Sequence, residues 1–320
     1  MLPSIHIFGF HLPMYTAMLV LGIALFLFLY FRAYRTEYKA DRVTFHRMTF
    51  AALLSIAALG LFAFLFNSLF HSIEEGKLVL GGITWLGGVV GAFPAILILT
   101  HLLVPKKRGY ALDVLDSLIP GVAVAHGLGR VGCFFGGCCF GKVTDSPFGV
   151  VFPEGSIAEK MYPNPVADGS LPVLPTQLIE AALEILLFVA LILISRRTKR
   201  YNTAIWSVAY AVFRFVLELW RGDDRGSAVL SLSPAQVLSI LLFLFGILVI
   251  LMRLGYAPRR LMARMDAWRA EADALPITPY AAVATRETAE RLRTLHALRE
   301  EGLVTEEEYE AKRKEILERL

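Results

Sequence analysis

Three groups of residues in this sequence have types and spacings suited to chemistry. Tyr210, Arg214 and Glu218 recur at i, i+4 and i+8, so they share one face of a helix, and Arg221 continues that face. His126 and Arg130 stand one turn apart, with Asp116 upstream on the same stretch. Gln177, Glu180 and Glu184 line one face of a third segment. Two guanidinium groups among tyrosine and glutamine donors suit a phosphate, because the planar fork of arginine matches its oxygens two at a time. The alternative is that Arg214–Glu218 and Arg130–Asp116 pairs only fasten helices together.

The surroundings make these charges conspicuous. Of the 320 residues, 56% are hydrophobic and 19% charged. Of 60 charged residues, 25 fall in the stretch from Tyr256 to Leu320, which leaves 35 spread over the preceding 255. This composition excludes a soluble α/β enzyme, a disordered scaffold and a disulfide-rich secreted domain. Seven stretches can each cross a bilayer as a helix of roughly 20 residues. They run over 13–31, 48–69, 83–104, 111–130, 177–195, 203–220 and 235–254. The expected fold is all-α: a polytopic membrane bundle of about seven helices. A charge at the centre of such a helix costs about 2.5–3.5 kcal/mol, so each marks a functional candidate.

The loops orient the bundle. Those after spans one, three and five carry twelve Lys or Arg, from Arg32 to Arg47, Lys106 to Arg108, and Arg196 to Arg200. The alternate loops hold only Lys77, Lys142, Lys160, Arg221 and Arg225. Basic loops stay on the cytoplasmic side, which places the amino terminus outside and the carboxyl terminus inside. No basic residue precedes the first apolar run, so it does not read as a cleaved signal peptide. The net charge of +4 reflects this loop bias and gives no reason to expect nucleic acid. Arg130 and Arg214 then lie in the outer halves of their spans, where a phosphate-bearing lipid of the outer leaflet is the natural ligand. The Pro- and Gly-rich loop at 131–176 is long enough to cover such a site, or serves as a connector.

Two further motifs carry open readings. Gly81-Gly82-Ile-Thr-Trp85-Leu86-Gly87-Gly88-Val-Val-Gly91 opens span three. Small residues at this spacing let helices touch, while exposed glycine amides at a helix start can receive a lipid headgroup. Cys133, Cys138 and Cys139 crowd into ten residues at the outer end of span four. Three thiols without histidine at ligand spacing do not make a zinc site, and no metal is expected. They can pack a tight turn as small apolar residues, or form a disulfide and act in thiol redox chemistry.

The chain divides at residue 255. Residues 256–290 read as a polar connector, with Leu275-Pro-Ile-Thr-Pro279 unable to continue a helix. Residues 291–320 read as two short helices, the first ended by Gly302 and the second started by a Thr305–Glu308 capping box. This tail resembles the short C-terminal domain family, which implies a hairpin for self-association or docking, without chemistry of its own.

The bundle resembles the bacterial prolipoprotein diacylglyceryl transferases. His126-Gly-Leu-Gly-Arg130-Val-Gly132-Cys-Phe is similar to that family's signature, with Asp116 at the matching distance before the arginine. Pro175-Thr-Gln177-Leu-Ile-Glu180, Tyr210-Ala-Val-Phe-Arg214-Phe-Val-Leu-Glu218-Leu-Trp-Arg221 and Ser233-Pro-Ala-Gln236 resemble its later motifs, and Tyr15 an early tyrosine. The resemblance implies transfer of diacylglyceryl from phosphatidylglycerol to the lipobox cysteine of exported preproteins, with no cofactor, at the bacterial inner (plasma) membrane. It implies that Arg130 and Arg214 clamp the phosphate in catalysis; with leucine at 86 in place of the family histidine, His126 and Tyr210 are the remaining catalytic proton carriers. It implies lipid binding by Arg130, Arg214, Tyr15, Asp116, Gln177, Glu180, Gln236, Gly87 and Gly88. The sequence departs from the pattern at Leu86, where the family has histidine, and at Cys133, Cys138 and Ile179. The competing functions are a membrane thiol-redox protein built on the cysteines, and a lipid-binding or transport relative without activity.

Overall fold

A computed structural model describes residues 4–7, 10–36, 42–195, 201–222, 232–275 and 280–318. A short hairpin of β1 (Ser4–Ile7) and β2 (Phe10–Pro13), paired antiparallel with Ile7 opposite Phe10, leads directly into α1 (Met14–Thr36). There follow α2 (Arg42–Glu75), α3 (Trp85–Leu103), α4 (Ala111–Phe135), the short α5 (Ile157–Met161), α6 (Thr176–Ser195), α7 (Asn202–Leu217) and α8 (Pro234–Arg253). A 3-10 turn, Glu218–Trp220, extends α7. Seven helices are long and apolar enough to cross a membrane, and they coincide with the seven spans expected. The protein is an all-α polytopic membrane protein. The N-terminal hairpin had no signal in the apolar pattern.

Helix α4 is the hub. It packs against α1, α3, α6 and α7, while α2 lies along α3 and α8 along α7. Glycines set these distances. A Cβ at Gly127 would stand 3.2 Å from the Glu184 Cβ of α6, and one at Gly132 would stand 3.2 Å from the Tyr15 ring of α1. Where the sequence suggested a turn after Arg130, the helix therefore continues to Phe135, because its glycines pack against neighbours. The outward faces are apolar, with Val20, Phe28, Leu53 and Leu186 each more than half exposed. Such a surface belongs in lipid.

The long loop between α4 and α6 is folded. Phe140, Phe152, Ala158 and Val173 form a small core of their own. Main-chain bonds pin it to the end of α7, with Lys142 N donating to Trp220 O (2.9 Å) and the Tyr162 hydroxyl to Gly222 O (2.7 Å). It forms a folded cap at the end of α7.

At the opposite end, the stretch read as a connector contains α9 (Arg259–Ala274), which folds back onto the loop between α3 and α4. Arg108 pairs with Glu271 (3.0 Å), Tyr110 donates to Asp273 (2.8 Å), and Trp268 meets His101 edge to face. The aromatic and charged partners on that loop explain why a polar helix docks there. The proposed linker core, 276–279, lies outside the described residues. Beyond it, α10 (Tyr280–Glu300) and α11 (Glu306–Glu318) form an antiparallel pair. Gly302 turns between them at φ +70°, and Thr305 and Glu308 close the expected capping box.

Candidate active site

Helices α4, α6 and α7 each deliver side chains to one point in the half of the bundle nearer the cap. Glu180, on α6, is its centre, about 1% exposed. Arg130 of α4 donates to one of its carboxylate oxygens. The other oxygen accepts from the Tyr210 hydroxyl (2.7 Å) and stands 3.8 Å from Arg214 Nε, both on α7. One turn further on, Arg214 Nη1 meets Glu218 Oε2 at 2.5 Å, and Glu218 in turn accepts from Ser233 Oγ (2.9 Å) at the start of α8. The two arginines expected to act together are thus brought together, across two helices and around one carboxylate.

This carboxylate does not exhaust the donors aimed at it. Arg130 Nε is buried and donates to none of the described residues. A buried charged donor without an acceptor is costly, and Arg253 Nε, at the far end of α4, is left in the same way.

His126 stands one turn below Arg130. Its Nδ1 lies 2.8 Å from Glu184 Oε1, whose second oxygen accepts from Trp206 Nε1 (2.9 Å). A carboxylate there fixes Nδ1 as the proton-bearing nitrogen and leaves Nε2 as the acceptor, 3.9 Å from Glu180. Trp85 stacks on the imidazole at 4.3 Å, and Tyr210 meets its edge at 5.4 Å. The ring is thereby held on one face, at an edge and by one nitrogen. Trp85 and Trp206 went unread in the sequence, although Trp206 precedes Tyr210 by one turn on the same face.

The remaining expected residues separate. Gln177 lies beside the cluster but spends its amide on the cap, donating to Cys138 O (2.7 Å). Tyr15 packs its ring on Gly132, two residues beyond Arg130. Gln236 closes the capping box that starts α8, its Oε1 accepting from Ser233 N (3.0 Å), so its carbonyl is occupied by the fold. Gly87 and Gly88 face α2: a Cβ would stand 2.7 Å from Phe66 Cβ or 2.8 Å from Leu59 O. Their role is packing. Leu86, in the position of the family histidine, is core at 2% exposure.

Asp116 is removed from the site altogether. It lies fourteen residues before Arg130, about 21 Å along the helix. It accepts there from Thr203 N (2.6 Å) and pairs with Arg253 (2.7 Å), which also holds Asp113 (2.8 Å). The Arg130–Asp116 pair considered from the sequence does not form.

The cap end of the cluster meets the three cysteines. Arg130 Nη1 is 3.9 Å from Cys133 Sγ in the last turn of α4. In the following turn, hydrogen bonds among the thiols raise the pKa of Cys138 and lower that of Cys139.

Comparison with known proteins fits this arrangement. The model of the prolipoprotein diacylglyceryl transferase family matches residues 3–252. The chain belongs to this family. A second model, of the short C-terminal domain, matches residues 290–317, the second half of α10 and nearly all of α11. The chain is 30% identical to a phosphatidylglycerol–prolipoprotein diacylglyceryl transferase of Clostridium tetani, over 76% of its own length and 94% of the relative's. It is 31% identical to one from Xanthomonas oryzae over 66% and 76% of the two chains, and 34% identical to one from Geobacter sulfurreducens over 52% and 60%. No solved structure matches.

Proposed function

We propose that this protein moves a diacylglyceryl group from phosphatidylglycerol to the lipobox cysteine of an exported preprotein, in the inner membrane of a bacterium. The observation that carries this reading is the convergence of Arg130 and Arg214 on Glu180, with the buried Arg130 Nε still free to donate. In the reaction the preprotein thiolate attacks the glyceryl carbon bearing the phosphate. A carbon–sulfur bond forms as the carbon–oxygen bond breaks, and glycerol phosphate leaves with the electron pair. Charge grows on the departing phosphate, and preplaced guanidinium groups in a water-poor site stabilise it. Glu180 positions both arginines and the Tyr210 hydroxyl.

The thiol must lose its proton first, because the thiolate is the nucleophile. His126 is the base: Glu184 orients it through Nδ1, and Nε2 receives the proton. This assignment fills the place left by Leu86. The folded cap over 136–175 covers the site from the outer side, and Tyr15 lines its edge. The transferase is assigned to residues 1–255. The hairpin at 291–320 serves self-association or docking, and residues 256–290 join the two.

The test uses the purified full-length chain with phosphatidylglycerol vesicles and a lipobox peptide. Mass spectrometry should find the peptide heavier by one diacylglyceryl group, together with released glycerol phosphate. The same gene should sustain a bacterium depleted of its own transferase. Lipid binding without any modified peptide would leave a binding protein in its place.

A further inference from the structure

The cysteines are absorbed neither by the fold's packing nor by the transfer reaction. Their sulfur atoms all lie within 4.8 Å of one another. The chain is shaped to bring this about. Cys133 ends α4, Gly137 turns the backbone at φ +65°, and Cys138 N returns to Cys133 O (3.2 Å). Cys139 itself adopts φ +65°, alone in this among the described non-glycine residues. Two side chains from the start of α6 fasten the turn: Gln177 donates to Cys138 O (2.7 Å) and Thr176 to Cys139 O (2.9 Å). The next residue, Phe140, anchors it in the core of the cap.

We propose that Cys133, Cys138 and Cys139 form a three-thiolate site for a soft monovalent cation, of which copper(I) is the type. All three donors are sulfur, and sulfur sets select soft cations. Metal–sulfur bonds of about 2.3 Å directed to a triangle place the sulfurs about 4 Å apart, inside the observed spread. A tetrahedral zinc site would need a fourth ligand, and no histidine or carboxylate joins the group among the described residues. Each ligating thiol gives its proton to solvent as the cation binds. All three residues are partly exposed, so the cation has a way in.

The experiment is a competition. Full-length protein in detergent is reduced with a phosphine, desalted without oxygen, and titrated with copper(I) held by bathocuproine disulfonate. Wild type should withdraw one copper per chain, and its copper X-ray absorption should show three sulfur neighbours. Cys133→Ser, Cys138→Ser and Cys139→Ser should each weaken binding by at least the roughly 10- to 100-fold that loss of even a supporting residue costs. The absorption measurement on wild type needs no variant to fold. Failure of the reduced wild type to compete would overturn the proposal. So would two sulfur neighbours in place of three, or binding that survives in the triple serine variant. None of these readouts depends on transferase activity, so the site and the transfer reaction stand or fall separately.

Discussion

Two buried charge clusters sit at opposite ends of α4, and they are built differently. At the end away from the cap, the inner end, one arginine, Arg253, divides its two terminal nitrogens between Asp113 and Asp116, and a main-chain amide donates to the other Asp116 oxygen. Acid exceeds base, and the elements joined are α4, α7 and α8. At the cap end, the outer end, two arginines and a tyrosine converge on the single carboxylate of Glu180, with Arg214 also held by Glu218. Each cluster keeps a buried arginine Nε without a partner among the described residues, Arg253 in one and Arg130 in the other. What differs is the gathering: one arginine shared by two carboxylates joins helices, whereas two arginines on one carboxylate set two forks side by side, as the proposed phosphate clamp requires. A buried arginine in a membrane is therefore not functional by itself; convergence separates the proposed site from the staple.

If that contrast is right, substitutions at the outer end should remove turnover and those at the inner end should remove stability. Arg130→Ala and Arg214→Ala should each lower transfer by on the order of 10³ while the chain still inserts. Arg130→Lys and Arg214→Lys keep the charge but lose the fork, and should remain badly impaired. Kinetics on purified variants, with thermal melting in detergent as control, decide this. Near-normal turnover in either alanine variant would remove the phosphate clamp.

His126→Gln should cost less, about 10²-fold, because base catalysis contributes roughly 10²–10⁴ and the arginines remain. Kinetics on the purified variant, with thermal melting as control, check this. Near-normal turnover in His126→Gln would return the base to Tyr210 or to water.

The inner cluster supplies the reverse outcome. Asp116→Asn leaves Arg253 with one full partner and should destabilise the bundle, toward the roughly 3–5 kcal/mol seen when a buried pair is broken. The turnover of molecules that stay folded should change little. A large loss of turnover at unchanged melting temperature would make Asp116 part of the site after all.

This contrast was only half legible in the sequence. Residues that share a helix face announce themselves by spacing, so Tyr210, Arg214 and Glu218, and Gln177, Glu180 and Glu184, could be grouped at sight. The pairing of those faces could not be read, because nothing in the spacing says which helix faces which. Hence Asp116 was matched to Arg130 on its own helix, while its partner, Arg253, lies 137 residues away. Aromatic residues in apolar helices carry no signal either, so Trp85 and Trp206 vanished among core positions. The cysteines were visible as a group, but their convergence depends on a left-handed turn at Gly137 and Cys139.

The smallest effect on turnover is expected from the tail. Helix α9 is fastened to the inner loop by Arg108–Glu271 and Tyr110–Asp273, far along the bundle from Glu180. The α10–α11 hairpin lies still later in the chain, and Leu295 and Tyr309 are its only described side chains less than a tenth exposed. Arg299 covers the Tyr309 ring at 4.8 Å and pairs with Glu306 (2.8 Å), so exposed charge supplies much of what holds the hairpin. Ion pairs of this kind contribute about 0–1 kcal/mol. So small a core calls for a second copy or a partner to complete it. Removing residues 276–320, which spares α9, should leave specific activity in detergent close to intact and should shift the protein to a smaller assembly or abolish recruitment of a partner. Light scattering read beside the transfer assay measures both. A truncated chain that inserts and binds its lipid normally but no longer turns over would place the hairpin in the catalytic cycle, and the division between bundle and accessory would fall.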